Sequence, residues 1–152
     1  MTTSLILFPA SMLGVLLGGV LSDRLLARTP TARFLTAALG LWVGIPFGLL
    51  AVLAPVWTLY LVGAFLAALF LSSHLAPLLA LVQEAVEPRW RATAMALALL
   101  ITQVAGGATA GMAVGALSDA VGLRMAMLLP LGAALLGGLM LLLGARRHTV
   151  PN

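Results

Sequence analysis

The sequence predicts an all-α, polytopic membrane bundle of about five transmembrane helices, on three observations. Hydrophobic residues fill 62% of the 152 positions and charged residues only 8%, with a mean hydropathy of +1.17. A soluble domain carries roughly a quarter of its residues charged, so here lipid must cover the outside. The few charges are gathered into clusters separated by long uncharged stretches, and those stretches are long enough to cross a bilayer. The arginines then fall almost entirely on one side of the membrane.

A helix needs about 20 residues, at roughly 1.5 Å each, to cross a hydrocarbon layer of about 30 Å. Five segments meet that length: Ser4 to Ser22, Phe34 to Leu53, Trp57 to Gln83, Ala92 to Ser118 and Met125 to Ala145. The first closes on Asp23 and Arg24, and the second on Ala54-Pro55. Membrane barrel strands would be only about 10 residues long and would alternate in polarity. These runs do neither, so helices are expected. Met1 to Ser4 carry no basic residue ahead of the first apolar run, so a helix that stays in place is expected rather than a cleaved signal.

Alternating crossings place Arg24, Arg28, Arg33, Arg89, Arg91, Arg146 and Arg147 together, with only Arg124 opposite. Cytoplasmic loops carry the excess of basic residues, which predicts a cytoplasmic (inner) membrane protein with its C-terminus inside. The net charge of +4 comes from arginine alone. These arginines punctuate apolar blocks and make no solvated basic face, so nucleic-acid binding is not expected. The chain has no cysteine, which excludes disulfides, thiolate metal sites and cysteine nucleophiles.

Small residues recur at four-residue spacing: Gly14 and Gly18, then Gly40, Gly44 and Gly48, then Gly107, Gly111 and Gly115. Such stripes let helix backbones approach closely in lipid, where apolar side chains gain nothing by leaving lipid for each other. They are the expected packing surfaces. Pro46 and Pro77 each deny a hydrogen bond to the carbonyl four residues earlier, at Trp42 and Ser73. Gly18 to Asp23 and Val114 to Asp119 also resemble each other, three crossings apart. An inverted three-helix repeat would have that spacing, although glycine, serine and aspartate are ordinary at helix ends.

His74 is the one ionisable side chain well inside a span. Tyr60, Gly63, Ala67 and His74 fall within one narrow arc of the third helix at 100° per residue. This face, with Ser73 beside it, is the expected substrate or proton path. His74 would act as proton carrier or hydrogen-bonding partner; the alternative is a neutral histidine bonded to a neighbouring helix. Gln103 shares a face with Gly106, Gly107 and Ala110 and fits either an interhelical hydrogen bond or the same path. Enzyme readings fail on the residues available. Ser73 and His74, as sequence neighbours, diverge on a helix and cannot pair as nucleophile and base. No nucleotide-binding glycine loop occurs. Neither a cofactor nor a metal is expected.

These features resemble the major facilitator superfamily, specifically the second half of such a transporter. Gly19-x3-Asp23-Arg24, with Arg28 beyond, is similar to the family's loop motif G-x3-D-[RK]-x-G-[RK]-[RK], which lies between the second and third helices and recurs between the eighth and ninth. Leu26 stands where the second glycine of the motif belongs. Pro88-Arg89-Trp90-Arg91-Ala92-Thr93-Ala94 and the glycine-rich run to Asp119 resemble the tenth-to-eleventh connection and the eleventh helix. The resemblance implies that the five segments are helices eight to twelve, with a missing N-terminal bundle as partner and a small molecule as substrate. It further implies that Gly19, Asp23, Arg24 and Arg28 form a conformational gate, that helix ten lines the cavity and that helices nine and twelve face lipid. A five-helix structural or accessory subunit without transport activity is the alternative.

Overall fold

The computed structural model describes residues 2–29 and 31–148, with backbone only at 2–4, 105, 108, 147 and 148. Every regular element among them is helical. Five helices or helix pairs are long and apolar enough to span a membrane: Leu5–Leu26, Ala32–Leu53, Trp57–Glu84, Pro88–Val121 and Leu123–Arg146. They are called here spans one to five. Spans one and two are single helices, α1 (Thr2–Leu26) and α2 (Ala32–Leu53). The first helix does not stop at Ser22. It carries Asp23 and Arg24 in its last turn, because no proline or glycine lies between Ser22 and Thr29.

Spans three to five are interrupted, span three at the place where Pro77 denies the Ser73 carbonyl its hydrogen bond. Span three is α3 (Trp57–Ser72) followed by α4 (Leu75–Glu84), with a turn at Ser73 and His74. The cause is Pro77, which has no N–H to give the Ser73 carbonyl and whose ring crowds it. Span five repeats the device. The helix α7 (Leu123–Ala126) passes through Met127 into α8 (Leu128–His148), three residues before Pro130. Span four begins with a 3-10 turn at Pro88–Trp90 and α5 (Arg91–Ile101). It then widens into a π-helical segment over Thr102–Ala108, and closes with α6 (Thr109–Val121). Spans four and five meet at Gly122, whose φ of 88° is a left-handed conformation that glycine alone adopts without strain.

Span two is the hub, packed against spans one, three and five. About 39% of its most apolar window is buried, more than in any other span. The resemblance had implied a lipid-facing helix here. Glycine explains the difference: the stripe Gly40, Gly44, Gly48 is buried along its whole length. A methyl group added at Gly40 would strike the Ser73 hydroxyl, at Gly44 the Leu71 side chain, and at Gly48 the Leu131 side chain. Span two in turn pushes its own large side chains into glycines of span five, Trp42 against Gly138 and Phe34 against Gly144. Phe47 stacks on Phe70 at 5.5 Å between centroids.

Span one lies on span three backbone to backbone. A Cβ at Gly14 would sit 2.0 Å from the Leu69 carbonyl oxygen, and one at Gly18 only 1.9 Å from that of Ser73. Two glycines four residues apart therefore meet two carbonyls four residues apart. The second of those is the carbonyl that Pro77 left without its helical donor. The same turn also holds Ser73, buried and donating its hydroxyl to the Phe70 carbonyl at 2.7 Å.

Span four stands apart from this cluster. None of its most apolar window is buried, and Met112 is 76% exposed. A Cβ at Gly106, Gly111 or Gly115 would meet nothing within 4 Å, and one at Gly107 only Gln103 of the same helix. The packing surface expected at Gly107, Gly111 and Gly115 therefore has no neighbour within the described residues.

Candidate functional site

Spans three and five both lie on span two and leave a groove between them, divided into two adjoining clefts. The cleft nearer the arginine-rich face has a volume of about 610 Å³. Phe34 and Leu41 of span two, Leu78 of span three and Gly137 and Met140 of span five are among its walls. His74 is the only ionisable side chain lining it among the described residues. The second cleft, about 540 Å³, runs toward the opposite face and is lined by Tyr60, Ala67 and Arg124 among others. Leu71 and Pro130 line both. Both volumes lie within the range of roughly 300–1,000 Å³ usual for small-molecule sites.

The interruption of span three positions His74. The turn at Ser73 and His74 tips the imidazole toward the groove while Nδ1 stays close to the Leu71 carbonyl one turn back. With the proton on Nδ1 in this contact, Nε2 is left as an acceptor. The single narrow arc expected for Tyr60, Gly63, Ala67 and His74 is thus divided. Tyr60 and Ala67 line the outer cleft, and His74 the inner. Gly63 is buried instead against the backbone of Ala51. Ser73 faces Gly40 and Gly18 and lines neither cleft. Gln103 is exposed on the π-helical segment of span four, away from both.

At the arginine-rich face three spans are tied by one guanidinium. Arg33, in the first turn of span two, has Nη2 at 3.0 Å from Glu84 Oε1 of span three and 3.9 Å from Asp23 Oδ1 of span one. The Arg33 side chain is only 14% exposed, so this is more than a solvated surface pair. Its Nε is buried without a partner, as is the Ser22 hydroxyl nearby in sequence to Asp23. Of the motif residues, Gly19 makes ordinary contact with Ala76 of span three. Asp23 faces Arg33, while Arg24 and Arg28 are exposed. Arg91 adds a further tie, donating from Nε to the Gln83 carbonyl at 3.1 Å. Arg33, Glu84 and Arg91 thus stand together with the Asp23 cluster on one face. The Arg147 side chain, counted with them, lies outside the described residues.

Sequence reasoning missed Arg33 as the centre of this tie, because it lies beyond the loop motif. The signal was a lone basic residue in the first turn of an apolar helix, opposite two acids at neighbouring helix ends. It also missed Gly137, Gly138 and Gly144, which follow no four-residue stripe and accept the bulky side chains of span two.

The family model of the Major Facilitator Superfamily matches residues 1–152. The chain belongs to the major facilitator superfamily. This membership and the five apolar spans make it a multi-pass membrane protein whose general activity class is secondary transport. Searches of curated proteins and of solved structures returned no match.

Proposed function

We propose that this chain is the C-terminal part of a major facilitator transporter, helices eight to twelve, and that it moves a small solute by alternating access together with an N-terminal bundle. It would sit in the cytoplasmic membrane with its C-terminus inside. The observation that carries this reading is the exposed glycine face of span four. Gly107, Gly111 and Gly115 make a surface suited to close helix contact, yet among the described residues no other helix approaches them. By resemblance span four is helix eleven, which packs on the other bundle, so an unpartnered face there is what an isolated second half would present. A five-helix accessory subunit that packs through its glycine stripes accounts for the arginine pattern equally well and would set this face against its own partner; the reading frame upstream separates the two.

Within that function His74 is the residue proposed to meet solute or proton. Ionisable groups at this depth are costly and tend to face protein or a water-filled path. Among the residues around the inner cleft it alone can exchange a proton. Asp23, with Arg33 and Glu84, is proposed to hold the cytoplasmic ends of spans one to three together in one state and to part in the other. Arg24 and Arg28 would be free to meet the partner bundle.

The test begins with the reading frame upstream of the Met1 codon, frameshifts allowed. About seven further hydrophobic segments are expected there if twelve helices make the transporter. A stop codon and promoter directly upstream would favour the accessory subunit. In the complete protein, His74→Ala should abolish or strongly slow solute uptake into proteoliposomes while Gln103→Leu leaves it near wild type. Unchanged uptake by the His74 variant across pH would remove the histidine from the mechanism.

A further inference from the structure

We infer that the outer cleft is a binding site for an anionic phospholipid, with an acyl chain between spans three and five and the headgroup phosphate on Arg124. The cleft floor is small and apolar, formed by Gly48 and Ala51 at the end of span two. Its walls are Ala64 and Ala67 on one side and Met127 and Leu131 on the other. None of these offers a hydrogen bond from its side chain, so the occupant must be apolar along its length there.

The mouth is different in kind. Trp57 and Tyr60 stack at 5.2 Å between centroids, and Trp57 is 62% exposed. Aromatic side chains of this sort concentrate at the headgroup level of a bilayer. Beside them is Arg124, the single arginine on the face that carries no other. Its Nη2 donates to the Ala54 carbonyl at 3.3 Å, which holds the guanidinium at the rim. A guanidinium has five N–H donors, and no carboxylate pairs with Arg124 among the described residues. An apolar channel ending at a fixed, unpaired cation and an aromatic pair complements a molecule with a long apolar tail and an anionic head. The lining itself runs out into exposed Leu123 and Val56, which lipid must cover, so bilayer phospholipid is the occupant at hand. This assignment does not depend on whether the chain transports alone or with a second bundle.

The full chain is reconstituted in nanodiscs of mixed phosphatidylglycerol and phosphatidylcholine, and the lipids it retains are measured by native mass spectrometry. Wild type should retain phosphatidylglycerol over phosphatidylcholine by about tenfold, the scale of one charge-assisted hydrogen bond. Arg124→Gln should bring that ratio close to one, and Arg124→Lys should keep most of it. Ala64→Phe, which fills the cleft, should cut retention of both lipids. Arg89→Gln, on the opposite face and paired to Glu87 at 2.8 Å, should leave the ratio unchanged and shows that loss of any arginine is not enough. Equal retention of the two lipids by wild type would overturn the assignment, as would an Ala64→Phe chain that binds lipid as before. Displacement of phosphatidylglycerol by inorganic phosphate alone would likewise overturn it, showing a bare anion site without a place for the acyl chain.

Discussion

Replacing Gly18 with alanine tests how closely spans one and three are joined. The new Cβ would lie 1.9 Å from the Ser73 carbonyl oxygen, 2.7 Å from its carbon and 2.9 Å from its Cα. All three are backbone atoms, so no side chain can rotate away. Ordinary van der Waals contact begins near 3.4 Å, and the two helices must therefore part locally by roughly 1.5 Å, with loss of contact at Gly14 as well. Overpacking of this sort costs about 1–3 kcal/mol. The Ser73 turn, already bent by Pro77, would be the point that yields. Because Ser73 also touches Gly40, the disturbance should reach span two. Unfolding of the purified chain in mixed micelles, titrated with a denaturing detergent, gives the change in stability. Gly107→Ala is the matched control, for the same chemical change there meets only Gln103 of its own helix at 4.0 Å and should be neutral or slightly stabilising. A Gly18 variant as stable as wild type, beside a destabilised Gly107 variant, would refute the packing scheme.

Three further outcomes are expected. Arg33→Gln should cost about 1 kcal/mol in the same titration, since it removes the 3.0 Å partner of Glu84, whose carboxylate is 52% exposed and regains water, and unties three spans. Arg89→Gln, in a pair whose side chains are 73% and 66% exposed, should cost under about 0.5 kcal/mol; equal losses at the two sites would deny Arg33 its special place. Reporter fusions after residues 28 and 90 should report the same compartment and a fusion after residue 55 the opposite one, and a split between 28 and 90 would dismantle the topology. Gly111→Leu should leave the stability of this chain unchanged while weakening any assembly with an N-terminal bundle, as read by co-purification.

The number of spans, their class and their common arginine-bearing face were legible in the sequence because each depends on local or additive quantities. Apolar length decides insertion, and loop charge decides orientation, whatever the helices then pack against. The side chains Asp23, Arg33 and Glu84, distant in sequence, meet on one face as alternating crossings require. The helix breaks at Ser73–His74 and Met127 were half legible. The proline and its orphaned carbonyl can be read from the chain, but whether the helix kinks or restarts depends on the packing around that carbonyl, and at Ser73 it is Gly18, with no Cβ, that leaves the room.

Partner choice was not legible. Three glycine stripes look equivalent in the sequence, yet Gly14/Gly18 and Gly40/Gly44/Gly48 are closed over by neighbouring helices while Gly107/Gly111/Gly115 meet no other helix among the described residues. A stripe states only that a backbone can approach; which backbone does so is a property of the whole bundle. For the same reason Tyr60 and His74, on one arc of an ideal helix, line separate clefts once Pro77 interrupts that helix. Sequence alone determined that this chain carries five helical segments long and apolar enough to span a membrane, and which of their ends lie together. Only the tertiary structure decided that span two is the hub, that Arg33 ties the ends, and that His74 looks into a groove, because those outcomes depend on contacts between segments far apart in the chain.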